Sequence, residues 1–299
     1  MRPGSSAAES AASRPLAALG DYIELTKPSI VWLILMSTVV AFYLASDGAL
    51  AYWLLLHTVV GTGLLAAGSG ALNQWLEREA DGKMRRTENR PLPAGRLAVN
   101  PALWFGVSIS LLGMIYLFAL VNPLTALIGL LTLASYLFLY TPLKSRTWLS
   151  TLVGAFPGAA PPLIGWAAVR NDLSWESWAL FAILFLWQFP HFYAIAWMYQ
   201  EDYARAGILM LPVVEPDGAS TARQIVAYAA LLVPVSLAPT WLGLAGWVYF
   251  FGALAAGLAY LFFGVLCARR KTGVQARRLL QASVLYLPVI YCFLALNKA

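Results

Sequence analysis

Charge is what this chain has least of. Asp, Glu, Lys and Arg make up 11% of its 299 residues, against 60% hydrophobic. Soluble domains carry about a quarter charged residues, so the composition excludes a globular fold facing water on all sides. Cysteine is limited to Cys267 and Cys292, each alone in an apolar run. Without a CxxC or CxxCH, neither a disulfide framework nor covalent haem attachment is expected. The only histidines, His57 and His191, are not at ligand spacing, which argues against a zinc site. No Walker A, HExxH or GxSxG stretch occurs, and the commonest nucleotide, zinc-protease and serine-hydrolase chemistries go with them.

Long apolar runs fill the rest. They lie near residues 29–46, 50–72, 100–120, 123–140, 150–169, 177–199, 223–241, 246–267 and 279–297. Runs of this length are transmembrane helices rather than barrel strands. The expected fold is therefore all-α, a polytopic bundle of nine transmembrane helices. Residues 1–20 are small and polar and suggest a flexible tail, with 21–299 as one membrane domain. The tail has no apolar core for a secretory signal, and Glu9 argues against a mitochondrial transit peptide.

With an odd number of spans, eighteen of the twenty cations fall on the side of the N-terminus; Arg170 and Lys298 fall on the other. That asymmetry predicts a cytoplasmic N-terminus and a C-terminus on the opposite side. With only Arg2 and Arg14 in the tail and Glu9 against a transit peptide, the cell (plasma or inner) membrane is expected over the mitochondrial inner membrane, with the active site facing the cytoplasm.

Against this sparse background the stretch Asn73–Arg96 is crowded with Glu77, Glu79, Asp81, Glu88 and six cations. On a helix, Asn73, Glu77 and Asp81 at i, i+4 and i+8 form one stripe. Hard oxygen donors followed by cations could hold a divalent metal and a diphosphate. They could equally be a solvated loop whose arginines only fix orientation. Gly61, Gly63, Gly68 and Gly70 lead into the stripe, suited to close helix packing or to a flat ligand.

Four spans later, on the same side, lies WQFPHFYAIAWMYQEDYARAGILMLPV. On one continuous helix, Asp202 would share a face with Met198, Ile195 and His191, and His191 would lie about 16 Å deeper. An ionisable group at that depth marks a functional candidate, and a satisfied structural histidine is the plainer alternative. His57 has no acid nearby and is expected to be structural. Tyr140, Lys144 and Arg146 sit together at a helix end, suited to phosphate or to interface anchoring. Three prolines in GAFPGAAPPLIGW should bend the fifth span and open space in the bundle. The Arg269–Lys271 and Arg277–Arg278 clusters suit lipid headgroups.

Taken together, two acidic helix ends with cations over a membrane cavity suit a metal-bound diphosphate whose apolar tail lies in the bilayer. Metal and cations would stabilise charge on the leaving diphosphate and leave an allylic carbocation in a dry cavity.

Here the residues resemble a known family. Asn73-x-x-x-Glu77-x-x-x-Asp81 resembles the first acidic motif of the UbiA-type intramembrane prenyltransferases. KMRRTENRPLPAGRL, YTPLKSRT, GAFPGAAPPLIGW, ELTKPS and the Trp187–Val213 stretch resemble its protohaem IX farnesyltransferase branch. The likeness runs from about Glu24 through the ninth span. It implies farnesyl transfer from farnesyl diphosphate to the 2-vinyl group of haem b, with Mg2+ as cofactor and haem b as substrate. It further implies that Asn73, Glu77, Asp81 and Asp202 hold metal and diphosphate. Lys83, Arg86, Arg90, Lys144 and Arg146 would contact the diphosphate, and His191 the haem. Many superfamily members carry Asp four residues before the second-motif Asp. Met198 stands there in this chain, which does not fit a symmetric two-metal site. A haem A synthase or oxidase-assembly partner would suit this branch, but no residue identifies one. The competing expectations are a UbiA-type enzyme acting on an aromatic acid or quinone precursor, and a membrane transporter with midplane ionisable groups.

Overall fold

A computed structural model describes residues 19–299. The expected tail lies outside them up to residue 18; helix already spans 19–25, inside its proposed end. Nine helices among the described residues are long and apolar enough to cross a membrane. They are α1 Pro28–Ala45, α2 Tyr52–Asp81, α3 Val99–Leu120, α4 Pro123–Leu143 and α5 Ser150–Arg170. Then follow α6 Trp175–Met198, α7 Ala219–Trp241, α8 Trp247–Arg270 and α9 Gly273–Leu296. No strand occurs among the described residues, only an isolated bridge between Ala245 and Lys298.

The helices begin and end where the chain's chemistry dictates. Pro28 opens α1 and Pro123 opens α4, where a missing N–H costs nothing. Asn122 caps α4 by accepting from the Thr125 amide at 2.8 Å. Gly243, in the left-handed region at φ 74°, turns the chain between α7 and α8.

α2 lies along α3, and α1 along the second half of α5. A Cβ on Gly68 would come within 2.1 Å of Ser110 Oγ, and one on Gly165 within 2.1 Å of the Thr38 carbonyl. Two backbones therefore approach at each point, as membrane helices do when small residues face each other. α6 to α9 pack as the second half of the bundle, and α9 returns to α1, where Tyr291 donates to Ser37 Oγ at 2.9 Å.

α5 is interrupted at Ala160, after Pro157 and before the Pro161–Pro162 pair. α4 widens to a π-helical stretch at Ser135–Tyr140, just ahead of Pro142, which has no N–H to give back to the helix. Both irregularities face the bundle interior and border the cavity between the two halves.

Outward-facing side chains are large and apolar, with Trp32, Trp104 and Phe138 all exposed, as befits lipid rather than water. Tyr52, Trp53, Trp175, Trp241 and Trp247 gather at one end of the spans in an aromatic belt. The cation-rich connections 82–98, 144–149 and 199–218 lie at the other end.

Candidate active site at the cation-rich end

α2 is 30 residues long, about 45 Å, and outruns the hydrocarbon core. Its last two turns carry the acidic stripe as one continuous helix face, and each member meets a partner from another element. Asn73, wholly buried, accepts from Lys27 Nζ at 2.5 Å and donates to Thr141 Oγ1 at 3.0 Å. Glu77 pairs with Lys144 at 2.5 Å, and Asp81 with Arg90 at 2.6 Å. Lys144 also lies over the Tyr140 ring, 4.5 Å from its centroid.

Two lysines thus flank the stripe under opposite influences. Burial pushes the Lys27 ammonium down to about 7, against the opposing pull of Glu77. Lys144 is likewise largely withdrawn from water, which works against its charge, yet Glu77 beside it holds its ammonium above the usual lysine range. Lys27 is held in place by a left-handed backbone, φ 56°, on the residue before Pro28.

The second acid departs from expectation. α6 runs straight through Pro190 but ends at Met198; a new short helix, Gln200–Arg205, carries Asp202. Tyr199 interrupts the run with φ −117° and ψ 29°, so His191 and Asp202 do not share one continuous helix. Asp202 pairs with Arg205 one turn on and accepts from the Arg86 amide at 3.4 Å. Glu201 beside it is exposed.

One connection, 82–98, ties the two acidic ends together. Arg90 reaches Asp81, and Arg86 donates to Tyr203 at 2.7 Å while stacking on its ring. Met84, Tyr203, Ile208 and Met210 form a small apolar cluster beneath. Arg96 clamps the outer edge onto Asp21 and Glu24.

Lys27 and Tyr140 also line a cavity of about 470 Å³ that runs down between the halves. Its walls include Ile34, Leu65, Ser69, Leu133, Tyr136, Pro157, Trp187, Gln188, His191 and Phe192. The acidic stripe thus adjoins the polar end of an apolar chamber, with His191 on its wall. His191 is held by a 2.7 Å contact from Nδ1 to Ser283 Oγ and by stacking on Trp187.

Of the expected site residues, Asn73, Glu77, Asp81, Arg86, Arg90, Lys144 and Asp202 gather at this end, and His191 lies within the chamber. Lys83 and Arg146 do not join them. Both side chains are exposed and make no ion pair among the described residues. Lys27, Thr141, Tyr203, Arg205 and Ser283 were not anticipated. A Lys-Pro at the mouth of the first span is a signal that could have marked Lys27; Ser283, one serine in an apolar run, offered almost none. His57 contacts Tyr116 on α3 at 2.9 Å, a helix-to-helix bond away from the chamber.

No group of three or more His, Cys, Asp or Glu side chains converges as a metal cage among the described residues. The expected four-ligand set is therefore not gathered around one point: Asp202 turns to Arg205 instead. What remains does suit Mg2+, which takes one or two carboxylates plus water and phosphate oxygens. Glu77 Oε2 and Asp81 Oδ1 have no hydrogen-bond partner among the described residues, since each acid spends only its other oxygen on a cation.

Fold and site together define a helical membrane enzyme built for an amphiphile with an anionic head. Digeranylgeranylglyceryl phosphate synthase superposes with a TM-score of 0.78 at 16% identity, over 94% of this chain and 98% of that one. A UbiA homologue from Archaeoglobus fulgidus, solved with GPP and Mg2+, gives 0.68 at 16% identity, over 92% and 99%. Among curated relatives, the protoheme IX farnesyltransferase of Solibacter usitatus is 59% identical over 93% of this chain and 98% of its own length. That of Koribacter versatilis is 46% identical over 94% of each. The profile of the UbiA prenyltransferase family matches residues 34–287, and the chain belongs to that family.

Proposed function

We propose that the protein transfers the farnesyl group of farnesyl diphosphate to the 2-vinyl group of haem b, giving haem O and diphosphate. The observation that carries this choice of acceptor is the near full-length 59% identity to a protoheme IX farnesyltransferase. The geometry supports the rest. The diphosphate lies against the α2 stripe, where Lys144 and Arg90 neutralise its charge and Arg86 closes over it. The prenyl chain occupies the apolar chamber.

Glu77 and Asp81 would hold Mg2+, with Asn73 beside them and Asp202 able to join only by turning from Arg205. When bound, the ion stabilises the negative charge that develops on the departing diphosphate. Lys27, fixed on Asn73, stands where the polar end meets the chamber and orients the reacting end. The walls exclude water, so the allylic cation meets the vinyl group before solvent. His191 faces the porphyrin. The positive-inside pattern supports a cytoplasmic active site in a cell membrane.

Purified protein supplied with farnesyl diphosphate, haem b and Mg2+ should form haem O and release diphosphate, and should form neither once the metal is chelated. Prenylation of an aromatic acid or quinone precursor with no turnover of haem would assign the chain to another branch of the family. Transport of either substrate without bond cleavage would remove it from enzymes altogether.

A further inference from the structure

The iron of the proposed acceptor is the starting point, so this inference rests on the reading of haem b as substrate. Ser283 on α9 makes a double anchor for α6. Its carbonyl accepts from Trp187 Nε1 at 2.9 Å, and its hydroxyl oxygen meets His191 Nδ1 at 2.7 Å. The same hydroxyl donates to the Leu280 carbonyl at 2.6 Å. A serine hydroxyl has one proton, and a carbonyl can only accept, so the proton is committed to Leu280. Ser283 Oγ must then accept from His191, and Nδ1 carries the hydrogen. In the neutral imidazole this leaves Nε2 bare.

Nε2 has no partner among the described residues, and the ring forms part of the chamber wall. Stacking on Trp187, 4.8 Å between centroids, fixes the ring plane. Tyr260 in turn donates to the Trp187 carbonyl at 3.0 Å. A histidine whose far N–H is held by an outer group, with its other nitrogen open to a cavity, is arranged as metal-ligating histidines are.

We propose that His191 Nε2 is an axial ligand of the haem iron, and that Ser283 is the positioning residue that sets its tautomer and direction. The bond would fix the porphyrin within the chamber and so decide which edge lies toward the stripe.

The test titrates detergent-purified protein with haem b and, in parallel, with metal-free protoporphyrin IX. Ser283→Ala should weaken haem b binding about ten-fold, as loss of an outer partner does, and His191→Ala at least as much. Neither should change the affinity for metal-free protoporphyrin, and Ser283→Thr should restore haem binding. The ferrous haem complex should show an iron–histidine resonance Raman band that shifts on 15N-histidine labelling. That band should vanish in His191→Ala and persist in His57→Ala. Persistence of the band in His191→Ala, or equal weakening for both porphyrins, overturns the proposal. Turnover of haem by a wild-type enzyme that lacks the band overturns ligation but leaves the proposed function standing. If haem is neither bound nor turned over, both fall.

Discussion

The two acidic ends of the molecule are built differently. The first lies on the end of a long continuous helix, and its partners come from three segments: Lys27 before α1, Lys144 after α4 and Arg90 from the connection that follows α2 itself. The second is Asp202 on a helix of six residues, paired with Arg205 on that same helix. Lys27 and Lys144, 46 and 67 residues from their partners, make the first end depend on the bundle being assembled. A local, half-exposed partner makes the second adjustable, able to turn its carboxylate toward a ligand at little cost. A stiff half and a compliant half suit a site that must admit a substrate and then close on it.

If the first end is the principal charge-handling half, neutralising it should cost most. Asp81→Asn or Glu77→Gln should lower kcat/KM for haem O formation by about 10²–10³-fold, the loss seen when one preorganised charge-stabilising group is removed. Asp202→Asn should cost less. Equal losses at both ends would break the comparison and point to two equivalent metal-binding halves.

Lys144 measures how firmly the first end is locked. It and Glu77 are 17% and 12% exposed, so Lys144→Met leaves a nearly buried carboxylate without its cation. Removing one partner of such a pair costs about 3–5 kcal/mol. A thermal melt in detergent should show the loss, and Glu77→Gln added to Lys144→Met should recover much of it. No recovery would mean that Lys144 stabilises the fold through its packing on Tyr140 rather than through charge.

How much of this was legible in the sequence follows from the kind of physics involved. The nine spans were readable because apolar length is a local property; their ends fall within about four residues of those expected, except that α2 runs on to Asp81 and α9 begins already at Gly273. The stripe was readable because i, i+4 spacing survives on any helix. The break at Tyr199 was not: nothing in WMYQED disfavours helix strongly, and the break follows from docking the short helix onto Met84 and Ile208. Pro190 lies within a helix that the structure leaves uninterrupted as far as Met198. The pairing of Lys27 with Asn73 joins residues 46 apart, and that of His191 with Ser283 joins residues 92 apart. Periodicity is silent on both.

Lys27 gives the comparison a pH axis. In the substrate-free protein its ammonium is pushed from 10.5 to about 7 by burial, with Glu77 opposing. Between those values the unfolded chain holds a proton that the folded one has released, so stability rises as pH climbs from about 7 toward 10.5. Below about 7 both states carry the proton and the slope vanishes. Lys27→Met should flatten the profile of melting temperature against pH over that window. A slope that survives the substitution would have to come from another group.

The smallest effect is expected at Arg205. Its side chain is 39% exposed, and its pair with Asp202 spans a single turn of one helix. Exposed pairs of this kind contribute about 0–1 kcal/mol, because water competes for both charges. Arg205→Ala should therefore leave the melting temperature almost unchanged. Its consequence should appear in binding instead. With Arg205 gone, Asp202 keeps only the Arg86 amide at 3.4 Å and is freer to turn toward a metal-bound diphosphate. The concentration of Mg2+ needed for half-maximal activity should then fall or stay the same. A rise would mean that Arg205 itself contacts the diphosphate, and that the compliant half supplies a cation as well as an acid.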